Sequence, residues 1–113
     1  NKNFAVLDAG MTELLRPAMY NAYHKIEHLT KDISSEEYHY DIVGPICESS
    51  DCFGKDILLP QVKRGDVLTI RSCGAYAESM SLNYNGRLQA DSIWHSTDEL
   101  LDGTKEAPVY VKN

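Results

Sequence analysis

The segment Gly44-Pro45-Ile46-Cys47-Glu48-Ser49, with Asp51 just beyond it, places a thiol and carboxylates where backbone and chemistry both point to a site. Gly44 and Pro45 interrupt the apolar run before them and suit neither a helix interior nor a central sheet ladder. Residues 46–51 are therefore expected on a loop projecting from a strand end. The close neighbours of Cys47 are acidic, and no Lys or Arg lies nearer in sequence than Lys55. Negative surroundings disfavour a thiolate, which fits this thiol to hold and deliver a proton better than to attack as a nucleophile. The alternative is a half-buried cysteine in a turn, with packing as its only role.

Other groups compete for attention. His24-Lys25-Ile26-Glu27-His28 matches the His-x-x-Glu-His pattern of inverted zinc peptidases, in which a helix sets both imidazoles on one face. Tyr20, Ala22, His24, Ile26 and His28 also alternate with Asn21, Tyr23, Lys25, Glu27 and Leu29, and that period fits a long strand over 20–29 at least as well. On a strand the imidazoles would stand about 13 Å apart, too far to share one ion. So short a pattern matches easily by chance, and no metal ligand is assigned. Arg64-Gly65-Asp66, the tripeptide of cell-adhesion ligands, reads as a hairpin turn before Val67. Arg16 is expected at a helix-to-strand corner, and Tyr20, Tyr76 and Tyr84 at strand ends, where any one phenol is more often a core residue reaching a partner or water.

Positioning these groups requires a scaffold, and the chain spells one of short strands. Residues 4–7 form an apolar strand ending at Asp8-Ala9-Gly10, after which Thr12 can cap a single helical turn at 13–15 that Pro17 helps to terminate. Strands are expected at 38–43, leading into the Cys47 loop, at 55–60, and at 67–71 after the turn Lys63-Arg64-Gly65-Asp66. The last two should pair as a hairpin. Residues 31–37 read as a polar loop, Asn83-Tyr84-Asn85-Gly86 as a second turn cluster and Ser92-Ile93-Trp94 as a further strand. Residues 97–105 read as a loop or fraying helix, and Val109-Tyr110-Val111 as a last extended piece. Many short strands with regularly spaced turns predict a mainly β domain, a barrel or sandwich, with one short helix.

A chain of 113 residues supports one core. Its formal charge of −6 comes from scattered acids, and no basic run or basic–aromatic interleaving offers a footprint for a phosphate backbone. Neither nucleic acid nor an anionic membrane is expected as a partner. Cys47, Cys52 and Cys73 are an odd set without a Cys-x-x-Cys spacing, so they read as thiols rather than as a disulfide framework or zinc ribbon. With no signal peptide, membrane span or glycosylation sequon, a cytoplasmic setting is the default. The start at Asn1 gives the expectation that the chain is cut from a longer one.

Three stretches can be compared as a set: Asp8-Ala9-Gly10-Met11 with Arg16-Pro17-Ala18-Met19-Tyr20; Gly44-Pro45-Ile46-Cys47-Glu48-Ser49 with Asp51; and Gly74-Ala75-Tyr76 with Met80-Ser81 and Asn83-Tyr84-Asn85. In this order they resemble the C-terminal domain of the diaminopimelate decarboxylase family, fold-type III pyridoxal-phosphate enzymes of lysine biosynthesis. The resemblance covers roughly residues 4–95 and leaves 96–113 unassigned. Ala77-Glu78 stand where the family often has Gly-Phe.

The resemblance implies that residues 1–113 form one β-barrel domain like that of alanine racemase and the group IV decarboxylases. In the parent enzyme it would follow a (β/α)8 barrel that carries the cofactor lysine and phosphate loop. It implies pyridoxal 5'-phosphate as cofactor, a homodimer with shared active sites, and conversion of meso-diaminopimelate to L-lysine with release of CO2. Position by position, it makes Cys47 the acid that protonates the substrate carbon after CO2 leaves, acting in the partner subunit's site. It makes Arg16 and Tyr20 contacts to the distal carboxylate, Glu48 a contact to the distal ammonium, and Tyr76 a contact to cofactor phosphate and substrate. The residue types suit these roles, since a guanidinium fork matches a carboxylate and a carboxylate matches an ammonium. Ornithine-type relatives typically carry Asp after the cysteine and carboxynorspermidine-type relatives an apolar residue, so Glu48 with Arg16 argues for a substrate bearing both charges distally. A non-catalytic dimerisation module is the rival from another class, and the chain alone is expected to be inactive.

Overall fold

A computed structural model describes residues 2–30, 36–74 and 76–92. The expected strand beyond Ser92, the 97–105 segment and the extended piece at 109–111 lie outside the described residues, as does most of the 31–37 loop.

Strand β1 (Asn3–Val6) is followed by helix α1 (Arg16–Tyr20) and strands β2 (Ile26–His28), β3 (Glu37–Val43), β4 (Cys52–Pro60) and β5 (Leu68–Ile70). β3 is the centre of a three-stranded sheet, parallel to β1 and antiparallel to β4, while β2 and β5 form a separate antiparallel pair. The described residues are thus mainly strand with one helix, as expected, but the two sheets do not close into a barrel. Ala5, Tyr40, Ile42, Phe53 and Leu59 of the larger sheet join Leu14 and Ile26 in one buried cluster, onto which Leu68 and Ile70 pack, so both sheets share a core. Gly54 permits that approach, because a Cβ there would meet Ile57 at 3.1 Å and Ile26 Cδ1 at 3.6 Å. Ile42 is fully buried. Ile42→Val is expected to lower stability by about 0.5–1.5 kcal/mol in denaturant unfolding with an unchanged slope, and a wild-type midpoint would contradict this packing.

The β3–β4 register shifts between Tyr40, which faces Ile57, and Ile42, which faces Gly54, so Lys55 and Asp56 oppose Asp41. Asp56 accommodates this bulge at φ +55° and donates its N–H to the buried Asp41 Oδ1 at 2.9 Å. Lys2 completes the arrangement with an ion pair to Asp41 at 3.1 Å.

Several expectations are corrected by tertiary structure. Pro17 sits in the first turn of α1 instead of ending a turn at 13–15, because a preset φ and a missing N–H cost nothing there. Arg16 and Tyr20 consequently lie on a helix rather than at a corner and a strand end. Thr12 does not cap: its hydroxyl donates to Glu13 Oε2, which also accepts the Gly10 N–H at 2.8 Å. The alternating 20–29 segment is strand only at Ile26–His28, since Tyr20 ends the helix and Asn21, at φ +52°, turns the chain out of it. The predicted pairing of 55–60 with 67–71 does not form. β4 pairs with β3 because the Cys47 loop returns the chain directly, and β5 pairs with β2 after the 63–66 turn redirects it.

That turn is the one expected at Arg64-Gly65-Asp66, with Gly65 at φ +93° and the Asp66 N–H donating to the Lys63 carbonyl at 3.0 Å. Asp66 Oδ2 accepts the Lys63 N–H at 2.8 Å and lies 3.0 Å from Nε2 of the buried His28. The Lys63 amide first, then His28, hold the Asp66 carboxyl below its ordinary value of 3.8, against partial desolvation. A carboxyl lowered by folding contributes stability that is present above pH 3.8 and lost as pH falls through the folded-state value. Asp66→Asn should flatten this acid limb in a plot of Tm against pH, and identical limbs in both proteins would refute the assignment.

Candidate functional site

The Cys47 loop is closed at its base and within. Gly44 N–H donates to the Asp51 carbonyl at 3.0 Å, Glu48 N–H to Ile46 at 2.8 Å, Asp51 N–H to Glu48 at 3.0 Å and Cys52 N–H to Ser50 at 2.7 Å. This backbone presents Cys47 and Glu48 exposed at the end of the β3–β4 hairpin, which removes the half-buried turn cysteine as an alternative. Glu48 Oε1 accepts from the Ser50 N–H and hydroxyl at 3.3 and 3.2 Å and from the Ser49 hydroxyl at 3.4 Å. The two serines orient this carboxylate from one side.

Asp51 turns the other way. It is 4% exposed, with Oδ1 accepting the Met11 N–H at 2.6 Å and Oδ2 the Ile46 N–H at 2.8 Å. Glycines make the room: a Cβ on Gly44 would lie 2.3 Å from Oδ2, and one on Gly10 2.9 Å from it. Asp51 is the structural residue that charge counting along the sequence misses, and its available signal was a glycine on each of the two segments it joins.

The second group of residues lies on α1 and the following turns. The Arg16 guanidinium sits 5.5 Å from the centre of the Tyr76 ring, a cation–π arrangement. Tyr76 lies in a turn and Tyr84 opens a short 3-10 helix (Tyr84–Gly86), neither at a strand end, and Tyr76 is held at φ +70°, a strained conformation that concentrates at functional sites. Tyr20, last in α1, is 61% exposed and Tyr76 is 58% exposed. Arg87, absent from the predicted set, ties the 84–92 segment to the turn before α1 by pairing with Glu13 at 2.9 Å and donating to the Asp8 carbonyl. Arg16 therefore meets Tyr76, Cys47 shares a loop with Glu48, and Asp51 ties that loop to Met11, shortly before Arg16.

The two histidines of the zinc-peptidase pattern do other work. His28 joins Asp66, and His24 Nδ1 lies 3.0 Å from the Arg71 carbonyl, so both fasten β2 and its approach to the β5 region. Cys73 donates to the Ile70 carbonyl at 3.1 Å, and burial pushes its thiol up. A cavity of about 420 Å³ is lined by residues including Cys73, Gly74, Glu78, Ser81 and Gln89, and none of Arg16, Tyr20, Cys47, Glu48 or Tyr76 lines it. Tyr20, Cys47, Glu48 and Tyr76 are exposed and Arg16 is part-buried. For a phosphorylated cofactor, the exposed Tyr76 phenol fits a single hydrogen bond, and Gly74, where an added Cβ would meet nothing within 4 Å, leaves an open approach beside it. This is an edge contact rather than an enclosing site.

Comparison with known proteins places these features in a family context. Residues 1–74 match the family model described as pyridoxal-dependent decarboxylase, C-terminal sheet domain. A diaminopimelate decarboxylase of Bacteroides thetaiotaomicron is 60% identical over 100 residues, covering 88% of this chain and 25% of that protein. The crystal structure of diaminopimelate decarboxylase from Helicobacter pylori complexed with L-lysine superposes with a TM-score of 0.73 at 45% identity, covering 80% of this chain and 22% of that one. A lysine/ornithine decarboxylase from Vibrio vulnificus complexed with cadaverine gives a TM-score of 0.67 at 25% identity, covering 76% of this chain and 23% of that one. The chain spans about a quarter of the length of the curated relatives it matches.

Proposed function

The chain belongs to the pyridoxal-dependent decarboxylases, as their C-terminal sheet domain, and from that premise we propose that, within a full-length enzyme, it serves the conversion of meso-diaminopimelate to L-lysine and CO2. The observation that carries this reading is an exposed Cys47-Glu48 loop in the same domain as a part-buried Arg16 set against the exposed Tyr76 ring. Open surface does not exclude water, and electrostatic contacts to a small charged substrate gain most when water is excluded. The site is therefore composite, completed by the rest of the enzyme and by a second subunit.

Pyridoxal phosphate, held mainly outside this chain, would supply the electron sink for decarboxylation. Tyr76 would donate its phenol O–H to the cofactor phosphate and border the substrate. Arg16 would take the distal carboxylate with Tyr20 beside it, its guanidinium steadied by the Tyr76 ring. Glu48 would take the distal ammonium through Oε2, since Oε1 is occupied by Ser49 and Ser50. Cys47 would hold a proton at Sγ and pass it to the carbon that has lost CO2, in the partner subunit's site.

The 60% identity to a diaminopimelate decarboxylase and the charged pair Arg16 and Glu48 support this substrate over one with a single distal charge. The likeness to a lysine/ornithine decarboxylase keeps a sister substrate as the second reading. Full-length protein supplied with pyridoxal phosphate should release CO2 from meso-diaminopimelate with much higher kcat/KM than from lysine or ornithine. A preference for ornithine would replace the first reading by the second, and no release from any of the three would end both.

A further inference from the structure

We infer that Asp51 is a positioning residue for decarboxylation, its carboxylate fixing the Cys47-Glu48 loop against the segment that carries Arg16 and Tyr20. The inference rests on the functional reading above and adds a residue with no assigned role. Asp51 is almost fully buried, and its side chain accepts two backbone amides, Met11 N–H at 2.6 Å and Ile46 N–H at 2.8 Å. Ile46 immediately precedes the proton donor, and Met11 lies in the turn that leads into α1. One carboxyl group thus joins two segments, Asp51 and Met11 lying 40 residues apart, through hydrogen bonds from backbone amides.

The surroundings are shaped to this carboxylate. A Cβ on Gly44 would fall 2.6 Å from Oδ1, 2.3 Å from Oδ2 and 2.6 Å from Gly10 Cα, so the two backbones approach as closely as they do because residue 44 is glycine, and a Cβ on Gly10 would in turn meet Oδ2 at 2.9 Å. Asp51 bridges the Cys47-Glu48 loop and the turn before α1, so it sets the distance at which this domain presents Cys47 to the substrate in the partner subunit's site. A misplacement of about 1 Å at such a distance can cost about a hundredfold in rate.

The test uses the full-length protein with meso-diaminopimelate. Asp51→Asn keeps the shape but swaps one acceptor for a donor facing a backbone N–H. Its kcat should fall by about ten- to a hundredfold in correctly folded dimer. In D2O the deuterium placed at the new C–H bond should become stereochemically mixed, because solvent competes with a misaligned thiol. Ile42→Val, a core change far from this contact in role, should keep strict deuterium placement even though it lowers stability. Loss of activity in Asp51→Asn that only tracks its folded fraction, with strict placement retained, would reduce Asp51 to a structural residue and overturn the inference. If Asp51→Asn does not fold, Gly10→Ala carries the test: its methyl presses on Oδ2 from 2.9 Å and should give the same mixed placement, whereas strict placement overturns the inference. Cys47→Ala in the same assay separates the two readings. Its collapse beside wild-type Asp51→Asn and Gly10→Ala leaves the donor standing and removes the positioning role; wild-type behaviour of Cys47→Ala itself removes both.

Discussion

Cys47→Ala in the full-length protein is expected to lower kcat by about a hundred- to ten-thousandfold while leaving affinity for pyridoxal phosphate nearly unchanged. The substitution removes Sγ and little else, because the loop is held by backbone hydrogen bonds from Gly44, Glu48, Asp51 and Cys52, none of which uses the thiol. Cys47 is exposed, so no core contact is lost with it. Without a positioned acid, the carbon that has lost CO2 must take its proton from water, and the placement of deuterium from D2O should become less strict. If Cys47 serves the partner subunit's site, mixing Cys47→Ala with a variant lacking the cofactor lysine should restore activity, because the mixed dimer contains one site with both groups. Wild-type turnover in Cys47→Ala would eliminate the proton-donor role. Failure of two stable, dimer-forming variants to complement would eliminate the shared-site geometry.

How far this arrangement is legible in the sequence depends on whether the governing contact is local. The apolar run before Gly44-Pro45 becomes β3, the break becomes the Cys47 loop, and Arg64-Gly65-Asp66 becomes a turn, because each is decided by residues within a few positions of one another. The alternating segment over 20–29 misleads because its period describes only Ile26–His28, which β5 captures, while Arg16–Tyr20 is drawn into a helix opened by Pro17. Strand partners of β4 and β5 are interchangeable at the level of composition, so pairing follows from the short loop on one side and the 63–66 turn on the other. Cys47 and Glu48 are readable as a reactive loop. Their support is not, since Asp51 reads as one more surface acid until Met11 and Gly10 are brought against it from 40 residues away. Arg87 is hidden for the same reason, its partner Glu13 lying 74 residues back.

Glu48→Asp should cut kcat/KM for meso-diaminopimelate by about ten- to a hundredfold, the equivalent of a charge-assisted contact of roughly 1.5–3 kcal/mol. The carboxylate would retract by one methylene, and both ends of its network would feel it. Oε1 now rests on the Ser50 N–H and the hydroxyls of Ser49 and Ser50 at 3.2–3.4 Å, distances already long for hydrogen bonds, so a shorter side chain must choose between the serines and the substrate. Keeping the serines moves the negative charge away from the distal ammonium; reaching for the ammonium abandons the groups that orient it. The backbone of the loop does not depend on this choice, because the hydrogen bonds of Glu48 to Ile46 and Asp51 run through its main chain. Stability should therefore be close to wild type, and the loss should be specific to substrates with a distal ammonium at that reach. Unchanged kcat/KM for meso-diaminopimelate in a folded Glu48→Asp protein would remove Glu48 from the substrate site and leave its carboxylate as a brace for the Ser49-Ser50 turn.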